Sequence, residues 1–561
     1  MQKVLTAEQM REVDRLTTEK YGIPSIILME NAAHAVARVI TEKLGGSVKG
    51  KSILVLCGKG NNGGDGAALA RILWQDGAFI GFLFFGRVAE TKGDARTNFD
   101  ILKAIDTDVV TSGGVFNKFL VHEDDEDLLS MLDGMLSSGK FDLVIDALFG
   151  SGLTRELSGY YPEIIQRLEN HKPNILSIDL PSGLNADQGN PVGRNVYATT
   201  TVTFTAPKPA NVIAPGSGFN GELFVANIGS PQELIDDQPS LLFWAEKWDV
   251  QHWLQKSEFS SDSYKNKRGH ALLITGSKSY SGAAVLCGNA AMRSGVGLVT
   301  IATPKSSKDS VASRVLPEVM VKGVAETENG AIAESAFDEL NDLLEKADAV
   351  AIGSGLAQDE STKKFVEKVL ENRRQPTIVD ADALNLLSPF VECVGSLHRV
   401  SRPHVSKGLD AVDTSQRFPL ILTPHEGEFM RLLGTDDKDA IKDRVAAVRD
   451  FATTYNVILV LKGERILTGE PGGKVVVNPT GNSGLGKAGN GDTLTGILAG
   501  FVAQATQFNI GIFETVVAAV YVAGMAGDSA ERKYGKRVMT ASDVRECLVD
   551  VFAELEGGSV V

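Results

Sequence analysis

Short runs of consecutive apolar residues recur along the first part of the chain and predict buried strands. They lie at residues 53–57, 79–85, 143–148, 175–178 and 201–205. Between them, apolar positions at helical spacing predict helices at residues 7–20, 64–76 and 160–170. Strands that are apolar on both faces are typical of parallel sheets with helices on both sides. The pattern therefore predicts an α/β domain in which ligands bind at the carboxyl ends of the strands.

A second series of the same kind follows a change in composition near residues 229–262, where Gly, Pro, Asp and Ser are frequent. Its predicted strands lie at residues 271–275, 298–302, 348–352, 376–379, 420–423 and 457–461. Its predicted helices cover residues 282–294 and begin again at residue 492. Such breaks in composition mark domain boundaries. We therefore expect a first domain at 1–228, a linker at 229–249, a second domain at 250–561 and a surface insertion at 388–418.

Length, charge and cysteine use narrow the range of functions. A chain of 561 residues with 43% hydrophobic and 23% charged residues is typical of a globular protein with more than one domain. The formal net charge of −15 opposes binding to nucleic acid or to anionic membranes. The four cysteines are widely separated, which disfavours a zinc site or a disulfide framework. We therefore expect a cytoplasmic protein.

Two segments bear on membrane association and on the start of the chain. The most apolar segment, about 494–527, is interrupted by polar residues and predicts two buried helices rather than a membrane span. The first residues lack an apolar signal core. Thr6, with Gln9 three positions later, predicts a capping box at the start of a helix.

A glycine-rich segment, Gly60–Gly66, directly follows the first apolar run. Glycines let a backbone approach a ligand closely, and a helix start favours an anion. Asp146 and Asp179 end two further predicted strands, and each precedes a glycine-containing turn. Carboxylate, amide and hydroxyl oxygens suit an alkali or alkaline-earth cation, and a carboxylate can also act as a general acid or base. One such strand end is ordinarily only a turn or a cap, but three in order favour a site.

A glycine-rich segment of a different design, Gly486–Asp492, precedes the most apolar predicted helix. Consecutive N–H groups at a helix start can surround a transferring phosphoryl group, and Asp492 can accept a proton from an attacking hydroxyl. The segment lacks the G-x-x-x-x-G-K-[ST] pattern of a Walker A loop. The alternative is an ordinary aspartate cap on a buried helix. Polar residues at other predicted strand ends, among them His425 and Lys462, favour the site.

The motifs of the first part resemble the NAD(P)H-hydrate epimerase domain over about residues 1–228. The matching segments are Gly58–Gly66, Asp146–Gly150, Ile178–Gly183 and Thr205–Lys208. The resemblance implies a Rossmann-like three-layer α/β/α domain, with potassium held by Asn62, Asp146 and Ser182. It also implies that Asp179 is catalytic, with Lys208 nearby. The implied substrate contacts are Gly60, Asn61, Asn62, Gly63, Gly64, Gly150, Ser151, Gly152, Leu153, Thr154, Arg155, Glu156 and Asp179.

The second part resembles the ribokinase-like fold, and more closely the ADP-dependent NAD(P)H-hydrate dehydratase domain, over roughly residues 250–555. Besides Gly486–Asp492, the match includes Ser281–Ala284 and Ala291–Val299. The chain departs from the family's usual pattern at Ser354, where proline is typical, and after His425, where a second proline is typical. The implied substrate contacts are Ala283, Gly355, His425 and Asp492, and Asp492 is also the implied catalytic residue. The implied contacts to the adenine nucleotide are Lys462, Gly463, Glu464, Arg465, Ile466 and Gly491.

Together the two resemblances imply a bifunctional enzyme that repairs hydrated NADH and NADPH. The first domain would interconvert the R and S epimers. The second would dehydrate the S epimer at the expense of ADP, giving AMP and phosphate, with magnesium at the nucleotide phosphates. We expect small-molecule partners only, no nucleic acid or membrane, and an arrangement compatible with a homo-oligomer. The alternatives are a ribokinase-like kinase for a vitamin or sugar with a nucleotide-binding N-terminal module, and a noncatalytic binding protein.

Overall fold

The computed structural model describes residues 1–105, 118–120, 125–391 and 418–557. The chain forms two compact units, one of residues Gln2–Leu242 and the other of Phe243–Val561 with Met1. The division falls inside the segment predicted as a linker. Of the insertion predicted at 388–418, residues 392–417 lie outside the described part of the chain, as does Cys393. The other three cysteines, Cys57, Cys287 and Cys547, are free and buried.

The first unit is an α/β domain whose elements alternate along the chain. Its strands are β1 (Gln2–Lys3), β2 (Ser52–Cys57), β3 (Phe79–Phe84), β4 (Lys118–Leu120), β5 (Leu143–Ala147), β6 (Ile175–Ile178), β7 (Thr200–Phe204) and β8 (Glu222–Ala226). Its helices are α1 (Ala7–Tyr21), α2 (Ser25–Lys43), α3 (Asn61–Gln75), α4 (Gly93–Ile105), α5 (Asp125–Ser137), α6 (Tyr161–His171), α7 (Pro209–Val212) and α8 (Gln232–Asp236). Thr6 caps α1 and forms the predicted capping box with Gln9.

The central sheet of the first unit is parallel, with the strand order β4-β3-β2-β5-β6-β7-β8. Alternate residues of β2 belong to two different cores. Ile53 and Val55 pack with α2, α3 and α4, whereas Leu54 and Leu56 pack with α5 and α6. This confirms the predicted sheet with helices on both faces. It also places the carboxyl ends of β2, β5 and β6 side by side, which brings the three predicted strand-end motifs together.

The second unit is a larger α/β domain. Its strands are β9 (Leu242–Trp244, at the division), β10 (His270–Ile274), β11 (Leu298–Pro304), β12 (Met320–Val324), β13 (Ala349–Ile352), β14 (Thr377–Val379), β15 (Leu420–Leu422), β16 (Ile458–Leu461), β17 (Leu467–Gly469) and β18 (Val475–Val477). Its helices are α9 (Lys247–Lys256), α10 (Ser281–Arg293), α11 (Lys308–Ala312), α12 (Ala336–Lys346), α13 (Glu360–Glu371), α14 (Ala381–Leu386), α15 (Glu426–Leu433), α16 (Arg444–Tyr455), α17 (Asn490–Phe508), α18 (Ile512–Tyr534), α19 (Ala541–Glu546) and α20 (Leu548–Leu555).

Neighbouring strands of the second sheet follow the order β18-β17-β16-β15-β14-β13-β10-β11-β12. The strands from β16 to β12 are parallel, as the apolar runs predicted. At the other edge of the sheet, β16, β17 and β18 pair antiparallel. Strands β17 and β18 have only three residues each and follow the last long apolar run. Runs this short have no clear periodicity, so the sequence did not predict these two strands.

The two helices predicted in the apolar segment are α17 and α18, and both lie in the core of the second unit. By length and composition α18 is apolar enough to cross a membrane, yet 72% of its apolar window is buried inside the protein. Helix α17 packs very closely on α10. A Cβ atom at Gly496 would lie 2.2 Å from the Cys287 carbonyl oxygen, and one at Gly500 would lie 1.9 Å from Ser294 Oγ. These glycines permit a close approach of two helices whose first turns both reach the sheet's carboxyl edge.

Candidate functional site

The first cluster of functional side chains lies at the carboxyl ends of β2, β5 and β6. The helix after β2 begins at Asn61, so the predicted glycine loop is largely the first turn of α3. Gly63 is required there, because a Cβ atom would lie 1.7 Å from the Gly58 carbonyl oxygen. At Gly150 a Cβ atom would lie 2.9 Å from Asp179 Oδ2 and 3.0 Å from Asn62 Oδ1. The structure thus brings Asn62, Gly150 and Asp179 into one site.

Asp179 is buried and fully engaged in hydrogen bonds. Its Oδ1 accepts from Lys208 Nζ at 2.7 Å and from Thr203 Oγ1 at 3.1 Å, and its Oδ2 accepts from the Ser151 N–H at 2.9 Å. Burial acts to raise the pKa of Asp179, but the Lys208 ammonium and these hydrogen bonds outweigh burial and hold the pKa below its ordinary value. Its φ of 66° is unusual for a residue other than glycine. Asp179 is therefore an ionised carboxylate held in a fixed orientation.

Asp146 lies at the end of β5 and is bonded mainly to the turn that carries Ser182. Its Oδ1 accepts from Ser182 Oγ at 2.6 Å, and its Oδ2 accepts from the Ser182 N–H at 2.9 Å and from Ser177 Oγ at 2.8 Å. Burial raises the pKa of Asp146, and these hydrogen bonds act against the increase. Asn62, whose Oδ1 lies beside Gly150, has a buried Nδ2 without a partner among the described residues. Carboxylate, hydroxyl and amide oxygens are hard donors, so this set fits an alkali cation.

The other substrate contacts predicted in the first unit differ in burial. Gly63 and Gly64 are buried in the first turn of α3, whereas Gly60 and Asn61 are exposed at its start. Leu153 belongs to the hydrophobic core with α5 and α6. Gly152, Thr154, Arg155 and Glu156 are exposed. The segment at residues 152–156 is therefore held to the core by Leu153, while its polar residues are exposed to solvent.

The second cluster surrounds the first turn of α17. Gly489, with φ of 93°, caps this helix and allows the chain to enter it, and Asp492 follows in its first turn. Burial raises the pKa of Asp492 to about 6, and the nearby Asp380 carboxylate adds to the increase. A carboxylate with such a pKa is half ionised just below neutral pH and suits the role of a general base.

A buried ion pair lies next to this turn. Lys462 Nζ donates to Asp380 Oδ1 at 2.8 Å, and Thr423 Oγ1 donates to the same atom at 2.8 Å. Thr495 Oγ1, from α17 itself, donates to Asp380 Oδ2 at 2.8 Å. A Cβ atom at Gly491 would lie 3.6 Å from Lys462 Nζ. The ammonium group is thus fixed directly beside the backbone turn that the sequence predicts as the phosphoryl site.

Lys462 keeps its charge in this setting. Burial acts to lower the pKa of Lys462, but the carboxylates of Asp380 and Glu428 outweigh burial and hold the pKa above its ordinary value. The Glu428 carboxylate lies 3.8 Å from Lys462 Nζ. A permanent positive charge at this position is suited to stabilising the charge of a transferring phosphoryl group.

His425 lies beside Lys462 and begins α15. The backbone N–H of Lys462 donates to the backbone carbonyl of Pro424 at 2.8 Å. This bond aligns the carboxyl ends of β15 and β16. His425 Nδ1 accepts from the Glu428 N–H at 3.2 Å, while more than half of its side chain is exposed. Its ring is therefore oriented by the helix start and open to a ligand.

The remaining predicted contacts of the second unit fall in two places. A Cβ atom at Gly355 would lie 2.9 Å from Ala283 Cβ, so these two predicted substrate contacts adjoin each other. The predicted nucleotide contacts at residues 462–466 bond to different parts of the unit. Arg465 donates to the Pro479 carbonyl, and Glu464 accepts from Arg444 Nη1 at 2.9 Å through its backbone oxygen. Lys462 points to the centre of the site, whereas Arg465 is committed elsewhere.

Several residues of these clusters were absent from the predicted sites. They are Thr203 in the first unit, and Asp380, Thr423, Glu428 and Thr495 in the second. Asp380, Thr423 and Glu428 belong to strand-end segments that already favoured the site in the sequence, although no role was predicted for these residues themselves. Thr203 and Thr495 lie within a strand and a helix, where a hydroxyl carries no sequence signal.

Comparison with known proteins identifies the family to which the chain belongs. A family model described as NAD(P)H-hydrate dehydratase matches residues 271–549, and one described as YjeF-related protein N-terminus matches residues 25–210. The bifunctional NAD(P)H-hydrate repair enzyme Nnr of Moorella thermoacetica is 37% identical over 99% of this chain and 97% of its own length. The chain belongs to the family of bifunctional NAD(P)H-hydrate repair enzymes.

Other members of this repair-enzyme family match over nearly the same length. The enzyme of Thermofilum pendens is 32% identical over 96% of this chain and 94% of its own, and that of Escherichia coli is 28% identical over 96% and 92%. Among solved structures, the ADP/ATP-dependent NAD(P)H-hydrate dehydratase of Bacillus subtilis is 30% identical, with a TM-score of 0.45, and covers 56% of this chain and 99% of its own. The family match therefore spans both units.

Proposed function

We propose that this chain epimerises hydrated NADH and NADPH in its first unit and dehydrates the S epimer in its second, using ADP. Membership of the repair-enzyme family supports both activities. One structural observation carries the proposal most directly: each unit holds a buried Asp–Lys pair at the carboxyl edge of its sheet. Asp179 pairs with Lys208, and Asp380 pairs with Lys462 beside Asp492. Buried pairs of this kind are candidates for moving protons and stabilising charge.

In the first unit, we assign the proton transfer to Asp179. Asp179 takes the proton of the ring hydroxyl, and the bond between the hydroxyl-bearing carbon and the ring nitrogen breaks to leave an aldehyde. The nitrogen then bonds to the opposite face of the aldehyde carbon, and the proton returns from Asp179 to the oxygen. Asp179 Oδ2 faces Gly150, at the predicted substrate loop, while Lys208 bonds to Oδ1. Lys208 therefore keeps the carboxylate ionised and ready to take a proton, and it stabilises the charge that remains. Asn62, Asp146 and Ser182 would hold a potassium ion, which would supply positive charge near the substrate.

In the second unit, Asp492 would take the proton of the ring hydroxyl. The hydroxyl oxygen then forms a bond to the β-phosphorus of ADP as the bond from that phosphorus to the AMP oxygen breaks. Lys462 and the N–H groups of the turn at Gly491 stabilise the phosphoryl group. Inorganic phosphate then leaves the ring together with a proton from the adjacent ring carbon, which restores the double bond and leaves NADH, AMP and phosphate. A magnesium ion bound to the nucleotide phosphates would neutralise their charge.

The test uses a mixture of R and S hydrated NADH with magnesium, potassium and either ADP or ATP. The near-ultraviolet absorbance of reduced nicotinamide reports recovery of NADH. Full recovery with ADP is expected and requires both activities. Recovery that stops at the S fraction would remove the epimerase proposal. No recovery with either nucleotide would overturn the dehydratase proposal, and a stable phosphorylated product would point to a small-molecule kinase.

The raised pKa of Asp492 predicts the pH dependence of dehydration. Asp492 must be ionised to accept a proton, and its pKa is about 6. Below that pH the rate on the pure S epimer should fall about tenfold for each pH unit. An aspartate with the ordinary pKa of about 3.9 would keep the rate constant down to about pH 4, and that outcome would contradict the assignment. Calorimetry at each pH separates loss of activity from unfolding.

The setting of the protein follows from this chemistry. Both substrates and ADP are small molecules of intracellular metabolism, and we place the protein in the cytoplasm. We propose no role for nucleic acid or a membrane. A homo-oligomer is compatible with the proposal, because each proposed site is built within a single unit.

A further inference from the structure

Arg444 is a buried cation beside the turn at residues 462–466, which carries the predicted nucleotide contacts. It is the first residue of α16, and its side chain is only 13% exposed. Burial lowers the pKa of Arg444, while the Glu426 and Glu464 carboxylates act against the decrease. A guanidinium stays charged in such a setting, because its ordinary pKa lies far above neutral pH. Arg444 therefore brings a fixed positive charge to this turn.

The guanidinium of Arg444 lies against the backbone of the turn. Its Nη1 donates to the Glu464 carbonyl oxygen at 2.9 Å. A Cβ atom at Gly463, where φ is 151°, would lie 2.7 Å from Arg444 Nη2. Only a glycine at this position leaves room for the guanidinium. Arg444 and Gly463 are therefore matched to each other.

The same guanidinium reaches a fixed point of the fold. Its Nε lies 3.4 Å from Glu426 Oε1, in the first turn of α15. That helix start is held by the capping box of His425 and Glu428. Arg444 therefore ties the turn at 462–466 to a part of the unit that is itself held in place.

The turn itself is open to a ligand. Gly463 and Glu464 are exposed. The backbone N–H groups of Gly463, Glu464 and Arg465 have no acceptor among the residues that the structure describes, whereas the Glu464 carbonyl is bonded to Arg444. Successive free N–H groups in an exposed turn are suited to binding acceptor atoms of a nucleotide.

The stability of the fold does not explain Arg444. Its Nε and Nη2 are buried and form no hydrogen bond with any described residue. Buried donors without a partner lower stability. A positive charge in the first turn of a helix is also unfavourable, because the helix dipole is positive there. Local conflicts of this kind are typical of functional positions.

We propose that Arg444 is a positioning residue for ADP, which holds the turn at residues 462–466 in the conformation that binds the nucleotide. This inference rests on the proposed dehydratase function. The guanidinium is planar and rigid, so it bonds to Glu464, packs on Gly463 and faces Glu426 at the same time. The turn is thereby ordered before ADP arrives, and preorganisation of this kind strengthens binding.

The test compares Arg444→Met with Arg449→Met in the full-length protein. Methionine is apolar and unbranched, so each variant loses the charge and keeps much of the packing. Arg449 is the matched control, because it lies on the same helix and bonds to the Gly473 carbonyl at 2.9 Å, in a turn without predicted site residues. Calorimetric titration measures the Kd for ADP, recovery of NADH from its S hydrate measures KM and kcat, and scanning calorimetry measures Tm.

Arg444→Met is expected to raise both the Kd and the KM for ADP about tenfold or more, the usual effect of losing a charged hydrogen bond. At saturating ADP, kcat should stay near the wild-type value, because Asp380 still holds Lys462. The KM for the S hydrate should also persist, because His425 keeps its capping box. Arg449→Met should leave the Kd for ADP unchanged. An unchanged Kd in Arg444→Met, or an equal increase in Arg449→Met, would overturn the inference whatever the change in Tm.

A conservative variant separates position from charge. Arg444→Lys keeps the positive charge but offers one compact ammonium, which cannot fill both places of the guanidinium. Its Kd for ADP should therefore stay well above the wild-type value. Wild-type affinity in Arg444→Lys would show that charge alone suffices and would overturn the positioning role. Failure of the wild-type protein to bind ADP or to dehydrate hydrated NADH would instead overturn the proposed function itself.

Discussion

Replacing Asp492 by asparagine is expected to abolish ADP-dependent recovery of NADH from the S epimer while leaving epimerisation intact. Asparagine has nearly the same shape but cannot accept the hydroxyl proton. Loss of a general base costs about 10² to 10⁴ in rate. The first turn of α17 has no side-chain cap that depends on Asp492, so the turn at Gly491 should persist. Initial rates on pure S-hydrated NADH measure the defect.

Two controls define this result. Epimerisation by Asp492→Asn, followed as conversion of pure R-hydrated NADH to the S form, should match the wild-type rate. ADP binding by Asp492→Asn, measured by calorimetric titration, should persist, because Lys462 remains fixed by Asp380. A variant that dehydrates at the wild-type rate would show that another group takes the proton. A variant that loses ADP binding would show that Asp492 serves the nucleotide rather than the ring hydroxyl.

Replacing Asp179 by asparagine is expected to produce the opposite defect. The variant should recover NADH from the S epimer at the wild-type rate but lose epimerisation by about 10² to 10⁴. The substitution removes the carboxylate and leaves the Lys208 ammonium buried without its counter-charge. With a mixture of epimers, recovery should therefore stop at the S fraction.

The Asp179 variant needs a control for folding, because a buried charge is left unpaired. The double variant Asp179→Asn/Lys208→Met removes both charges and should regain thermal stability without regaining epimerisation. Recovery of epimerisation in the double variant would show that Asp179 acts only through the fold. Wild-type epimerisation in the single variant would place the acid–base group on another residue.

The sequence predicted the parts of the fold that depend on local pattern. Buried parallel strands are continuous apolar runs, and β2, β5 and β6 begin and end within a residue or two of the runs at 53–57, 143–148 and 175–178. Helix α3 begins at Asn61, three residues before the predicted start. The prediction missed this first turn because Gly63 and Gly64 are poor helix formers by propensity. Their place in the helix is set by close packing on Gly58 and Ala95, which is a tertiary effect.

The candidate sites were predicted where a strand end coincides with a recognisable motif. Asp179 and Asp492 stand in such motifs, and the structure places each in a buried polar cluster. The partner of Lys462 was not predicted, because Asp380 is 82 residues away in sequence. The hydroxyl of Thr495, which donates to Asp380 at 2.8 Å, was also missed. Whether a threonine hydroxyl finds a partner depends on three-dimensional packing and leaves no trace in local sequence.

The tight contact between α10 and α17 has a consequence for how the protein tolerates change. Gly496 and Gly500 pack on α10 and belong to neither set of predicted site residues, yet any side chain there would drive the two helices apart. Asp492 stands at the start of one helix and Ala283 in the first turn of the other, so their separation is set by those two glycines. A comprehensive mutational scan should therefore rank Gly496 and Gly500 beside Asp492 in intolerance. Positions identified as essential by such a scan will include spacers as well as chemical groups.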